Sequence, residues 1–468
     1  MFTTQTKIIG LLLILLILGA CTPDIAVPAT LPPTRTVGAT ETGTAVAQVL
    51  VTAVPTFSPT PAPTETQIPT NTPSPTPIPS LTPTPGPSFA YWYSQNGNVY
   101  RYNFQNWTAE DMPPENPFFT GKAKISSTGQ WLAYRNDEGL YYANLSNGEA
   151  TLLSAEEGEI GPDVFVFSPD GQKIAFRDNE GLKIVDLNTN QPLSVWQNDL
   201  EGIYDGSLDI TIYNPLNWSP DQNWLLLWIG KWEGGWLAIG SPASKDIYFL
   251  SGCYPDTSWS PDTVEFAMVV RYDAYQGCGG VNDGVYVVSL AETIPSEQLM
   301  YTDPTFAPSN GLNGAASVAW SPDNQWIMFV HESEIAPQAQ LLLTTSDGSE
   351  IKVLTEVANG RILTPIWSPD SNTIYCVVVE STGSHSVYEI NPVSLGKRNI
   401  YNVSEDDEIL DISPDGQWLV LGARYYHDNY TNYNNQTTIL NVVTGETVKI
   451  GTGHTSMKII PIGWQPLP

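Results

Sequence analysis

Four histidines are the side chains of this sequence best suited to chemistry: His331 in "FVHESE", His385 in "STGSHS", His427 in "RYYHDNY" and His454 in "GTGHTS". Imidazole titrates near neutrality and is the commonest metal ligand. Compact metal sites pair their ligands at short intervals such as His-x3-His, and none of the four is so paired. Solvated loop histidines are therefore expected, with no metal. Carboxylates gather in "YDGSLD" (Asp205, Asp209) and "SEDDEILD" (Glu405, Asp406, Asp407, Glu408), but neither stretch has the spacing of a calcium loop. An acid–base pair facing across a cavity is not legible in a sequence. No catalytic residue and no cofactor is assigned.

Aromatic side chains are the second resource. "GKWEGGWL" (230–237), "RYDAYQGCGG" (271–280) and "RYYHDNYTNYNNQ" (424–436) hold Trp232, Trp236, Tyr272, Tyr275, Tyr425, Tyr426, Tyr430 and Tyr433. Tyr and Trp beside Asn and Asp suit stacking on a sugar or gripping a peptide, since each ring offers area at low entropic cost. The alternative is that these rings pack their loops down; Trp236 is expected within a strand. Cys253 and Cys278 are expected to form a disulfide closing a loop of about 25 residues, worth roughly 3 kcal/mol on the chain-entropy model. Cys376, within "TIYCVVVE", is expected to be a buried thiol in a strand.

The elements that would position these residues are announced by a repeated phrase. "ISSTGQWLAY" (from Ile125), "FSPDGQKIAF" (Phe167), "WSPDQNWLLL" (Trp218), "WSPDTVEFAM" (Trp259), "WSPDNQWIMF" (Trp320), "WSPDSNTIYC" (Trp367) and "ISPDGQWLVL" (Ile412) begin 41 to 61 residues apart. Ser-Pro-Asp-Gly suits a type I turn, with Pro fixing φ at its second place. The aromatic before it ends one strand, and the apolar run after it is a strand buried on both faces. A second hairpin follows in each unit, as in "NLSNGEATLL", "TTSDGSEIKVL" and "NVVTGETVKI". Four strands per unit at this spacing describe a β-propeller blade.

The chain ends "MKIIPIGWQPLP", where Trp464-Gln465-Pro466 mimics Trp-Ser-Pro, and "SFAYWYSQNGNVYRYNF" from Ser88 supplies what should follow such a turn. An all-β propeller closed by a C-terminal strand joining the N-terminal blade is expected, which removes exposed sheet edges. Seven internal units plus the shared one favour eight blades; seven remains open if one unit is degenerate. The phrase resembles the WD-repeat-like propellers of TolB and of prolyl-oligopeptidase-type peptidases. The resemblance covers residues 89–468 and implies fold rather than activity. TolB's small α/β domain and the peptidases' hydrolase domain, with its Gly-x-Ser-x-Gly elbow, have no counterpart here, so neither role is carried over. On a propeller, all four histidines and the aromatic loops fall at the end formed by the bc and da connections.

Outside the repeats the composition changes. Lys7 precedes "IIGLLLILLILGA", too short for a bilayer-spanning helix and read as a signal peptide over 1–20. Leu18-Gly19-Ala20-Cys21 looks like the lipobox of bacterial lipoproteins, which implies lipidation of Cys21. Residues 21–88, rich in Pro and Thr, are expected to be a disordered extended stalk, with glycosylation open. Export to the outer face of the cell membrane is expected, or to the periplasm or outer membrane in a host with two membranes.

Lys and Arg total 19 against 49 Asp and Glu, a net charge of −30. Without clustered basic residues, nucleic acid is excluded as a partner, and membrane contact is expected through the lipid alone. The expectation is a monomeric, surface-tethered binding module for a peptide, glycan or envelope partner, and not an enzyme. The alternative is a polysaccharide lyase or glycosidase using the bc/da end.

Overall fold

A computed structural model describes residues 89–466 apart from 96–97, 105–107, 112–122, 156–163, 201–209, 232–233, 251–252, 272–283, 292–294, 302–317, 334–337, 406, 424–435 and 452–458. These residues all belong to one unit, Leu81–Pro468. They form eight four-stranded antiparallel sheets arrayed as a propeller, with no helix among them. Blades 2 to 8 are built from consecutive strands a to d over 123–155, 165–197, 212–249, 253–301, 318–358, 361–403 and 407–450. Blade 1 takes strands b, c and d from Phe89–Gln95, Asn98–Asn103 and Thr108–Asp111. Its strand a is the last strand of the chain, Ile459–Pro466, which pairs antiparallel with Phe89–Gln95. The blade number is therefore eight, and the ring closes as the two ends of the repeat region require.

The b strands explain why the ring holds. In "LLLWIGK" (Leu225–Lys231), Leu225, Leu226 and Leu227 are all buried, because side chains alternate between the two faces and both faces are covered. Leu225, Leu227 and Ile229 join the apolar cluster with blade 3, while Leu226 joins the one with blade 5. Eight such clusters exist, each shared by two consecutive blades, including blades 8 and 1. No blade could bury both its faces alone, so closure is what completes the core.

The repeated turn has one geometry. Ser168 Oγ donates to Asp170 Oδ1 at 2.6 Å and accepts the Lys173 amide at 2.9 Å, while Asp170 Oδ1 accepts the Gln172 amide at 3.0 Å. The same three bonds recur from Ser219 and Asp221, Ser260 and Asp262, Ser368 and Asp370, and Ser413 and Asp415. In Ser126-Ser127-Thr128, Thr128 stands where Asp does, and Ser126 still accepts the Trp131 amide at 3.1 Å. The residue after the Asp is left-handed in each turn, although it is Gly only at Gly171 and Gly416; Gln222, Thr263, Asn324 and Ser371 have φ between 61° and 65°. Neighbouring turns also touch: Ser127 donates to the Pro169 carbonyl at 2.7 Å, Asn324 to Asp262 at 2.7 Å, and the Asp323 amide to Ser371 at 2.9 Å.

Candidate functional site

The two ends of the ring are unlike. Connections between strands a and b, and between c and d, span four to six residues throughout, for example 168–172, 187–190, 413–417 and 442–446. Connections between b and c, and from d to the next a, range from two residues at 137–138 and 359–360 to twelve or more at 272–283, 302–317 and 424–436. Sequence variety is thus concentrated at the bc/da end, over a frame whose other end is tied turn to turn. Long connections on a rigid scaffold are where recognition residues commonly sit.

His331 lies near the end of strand b of blade 6, Ile327–Ser333, at the expected end of the ring. It is not a solvated loop residue: it is 5% exposed, and its Nδ1 sits 3.1 Å from the hydroxyl of Tyr301, the last residue of strand d in blade 5. Both faces of this strand are covered, and period-two alternation puts His331 on the face that Phe329 presents to blade 5. His385 begins strand c of blade 7, His385–Ile390, and is partly exposed. No hydrogen bond or ring contact joins the two histidines. Among the described residues, no group of His, Cys, Asp and Glu could hold a metal ion.

Further polar bonds cross successive seams at this end. Arg361, first in strand a of blade 7, has its Nε 3.6 Å from Glu332 Oε1 of blade 6. Thr364 Oγ1 accepts the Ile409 amide of blade 8 at 3.1 Å. Across the ring, Arg177 of blade 3 donates to Asn214 of blade 4 at 2.7 Å, and the side chain of Arg177 is buried. Sequence reasoning missed Tyr301, Arg361 and Arg177. The signal was available for the two arginines, since a charge closing an apolar b strand or opening an a strand falls at a seam.

Cys253 opens strand a of blade 5, in register with Arg271. Its side chain and Cys278 lie outside the described residues, as do Cys21, His427, His454, Trp232, Tyr272, Tyr275, Tyr425 and Tyr426. Trp236 is in strand c of blade 4, half-exposed, with its ring 6.4 Å from that of the exposed Phe249. Cys376 is a buried free thiol in strand b of blade 7, and burial pushes its pKa up to about 12.

No family model matches the chain. Over 121 residues it is 29% identical to the Tol-Pal system protein TolB of Alcanivorax borkumensis, a match covering 26% of each protein. It therefore spans about a quarter of that relative's length. The match and the eight-bladed ring together fit a propeller of the TolB type. Porphyromonas gingivalis dipeptidyl peptidase 4 superposes with a TM-score of 0.54 at 14% identity, over 75% of this chain and 56% of that one. Dihydro-heme d1 dehydrogenase NirN superposes with a TM-score of 0.51 at 13% identity, over 83% and 78%. At such identities the likeness is one of fold alone, and it assigns no activity.

Proposed function

We propose that this protein is an exported, lipid-anchored binding module whose propeller engages a peptide, glycan or envelope partner through its bc/da end. The observation that carries the reading is the inequality of the two ends: uniformly short hydrogen-bonded turns at one, connections varying from two to sixteen residues and diverse in sequence at the other. The proposed aromatic and histidine contacts are Trp232, Tyr272, Tyr275, Tyr425, Tyr426, His385, His427 and His454. Buried His331 supports the surface from beneath rather than touching a ligand. A lipid on Cys21 and the Pro/Thr-rich stretch 21–88 would hold the ring away from the membrane. The net charge of −30 favours neutral or basic partners.

The test is retention of host cell-wall glycans and envelope proteins on the immobilised protein. Replacing 302–317 and 424–435 by short Gly/Ser linkers should abolish specific retention, whereas substitutions at the opposite end, Val393→Ser and Val443→Ser, should leave it intact. Retention that survives the linker exchange overturns the assignment. Bound polysaccharide recovered in shortened form would establish turnover instead.

A further inference from the structure

The seam between blades 8 and 1 buries polar groups in an otherwise apolar place. In blades 2 to 8, the strand b residue paired with the last residue of strand a is Leu132, Ile174, Leu225, Phe266, Ile327, Ile374 or Leu419. In blade 1 the residue paired with Trp464 is Tyr91. Tyr91 is 0% exposed, its ring lies 4.9 Å from that of Trp464, and its hydroxyl has no hydrogen-bond partner among the described residues. A buried hydroxyl left alone costs about 1–3 kcal/mol, so this placement calls for a partner.

A second donor stands beside it. At the seams of blades 3 and 4 and of blades 6 and 7, the indoles of Trp218 and Trp367 donate to the carbonyls of Val166 and Ala319 at 3.4 and 3.3 Å. The corresponding indole of Trp464, also buried, has no such bond. Trp259 and Trp320 share that lack, so it is the coincidence with Tyr91 that sets this seam apart. The residue of blade 8 equivalent to Val166 and Ala319 is Asp411, which acts electrostatically on Tyr91 without a hydrogen bond joining them. Asp411 Oδ1 accepts the Ile412 amide at 2.8 Å, which leaves Oδ2 for another partner.

We propose that the closing seam is a built hydration site, in which one water accepts from Trp464 Nε1, bonds to the Tyr91 hydroxyl and donates to Asp411, tying blade 8 to blade 1. The groups select a small neutral donor–acceptor. A donor-only indole repels a cation, a carboxylate repels an anion, and water with three polar partners satisfies all three. The tie is linked to protons, because desolvation of this partly exposed carboxyl raises the Asp411 pKa to about 7, against the opposing pull of the Ile412 amide. A carboxyl raised in the folded state contributes most below its ordinary value, and that contribution is lost as pH rises through about 7. Other ionisable groups on or against this strand are Asp407 and Glu408 on it, Arg361 on strand a of blade 7, Tyr375 and Cys376 on strand b of blade 7, and Tyr91 and Tyr93 on blade 1.

The experiment uses the full chain with 15N-labelled tryptophan, the Trp464 indole signal being assigned through Trp464→Phe. The signal should titrate with a midpoint near neutrality, lose that titration in Asp411→Asn, and shift in Tyr91→Phe. Asn217 makes the same bond to its following amide in blade 4, at 2.9 Å, so Asp411→Asn keeps the local backbone bond. A Trp464 signal indifferent to pH and to both substitutions overturns the site. If Trp464→Phe fails to fold, a high-resolution crystal structure decides: a water within bonding distance of Tyr91 and Trp464 supports the proposal, and a dry seam refutes it.

Discussion

Trp92 Nε1 donates to Gln465 Oε1 at 2.7 Å, joining residues 373 positions apart in sequence. Gln465 Nε2 in turn donates to the Gly129 carbonyl at 3.0 Å, so one amide links the first blade's b strand, the last strand and the turn of blade 2. Gly129 is left-handed at φ 68°, and a Cβ there would collide with the Gln465 side chain. Gln465 thus takes over at the closure the cross-blade role that Ser and Asp play between other turns.

Gln465→Ala should destabilise the protein by about 1–3 kcal/mol in urea unfolding, since it strands the fully buried Trp92 indole without an acceptor. Removing the last dozen residues should do far more. It strips blade 1 of its strand a and exposes both adjoining cores, so a single cooperative melting transition should be lost.

Thr263 sits at φ 64° in the turn of blade 5, a conformation that a β-branched side chain adopts at a cost of about 1–2 kcal/mol. Thr263→Gly should raise stability by about 1 kcal/mol, and Thr263→Asn by somewhat less. The opposite change, Gly416→Ala at φ 71°, should lower it by about 1 kcal/mol, because the new Cβ would also lie 3.1 Å from Pro369. Thermal melting of the three variants side by side checks the sign.

Ser219→Ala should cost about 1–3 kcal/mol, since the buried hydroxyl donates to Asp221 at 2.6 Å and accepts the Trp224 amide at 2.9 Å. Ser219→Thr keeps both bonding functions of the hydroxyl and should recover part of the loss. Equal losses in the two variants would show that packing, not the hydroxyl, governs the turn.

Cys376 should resist alkylation in the native protein and react on unfolding, because its thiol is fully buried with a pKa raised to about 12. Peptide mapping after iodoacetamide treatment, with and without denaturant, reads this directly.

Much of the fold was legible because its signals are local. A turn phrase, an apolar run and a hairpin recurring at blade spacing are short-range facts, and the Trp-Gln-Pro ending pointed to closure. The strand placement of Trp236 and the buried thiol of Cys376 followed from the same pattern. Expecting solvated loop histidines failed at His331, because its environment is set by Tyr301 from the preceding blade rather than by its own neighbours.

By itself, then, the amino-acid order determined the unit that repeats, the strands within it and the end of the ring toward which His331 and His385 lie. Those depend on turn chemistry and side-chain alternation, which act over a few residues. Tertiary structure alone decided that the blades number eight, that Gln465 closes the ring onto Trp92 and Gly129, and that Tyr91, Trp464 and Asp411 meet at one seam. Such meetings join residues hundreds of positions apart, and nothing in a chain's local pattern encodes which distant side chains share a buried space.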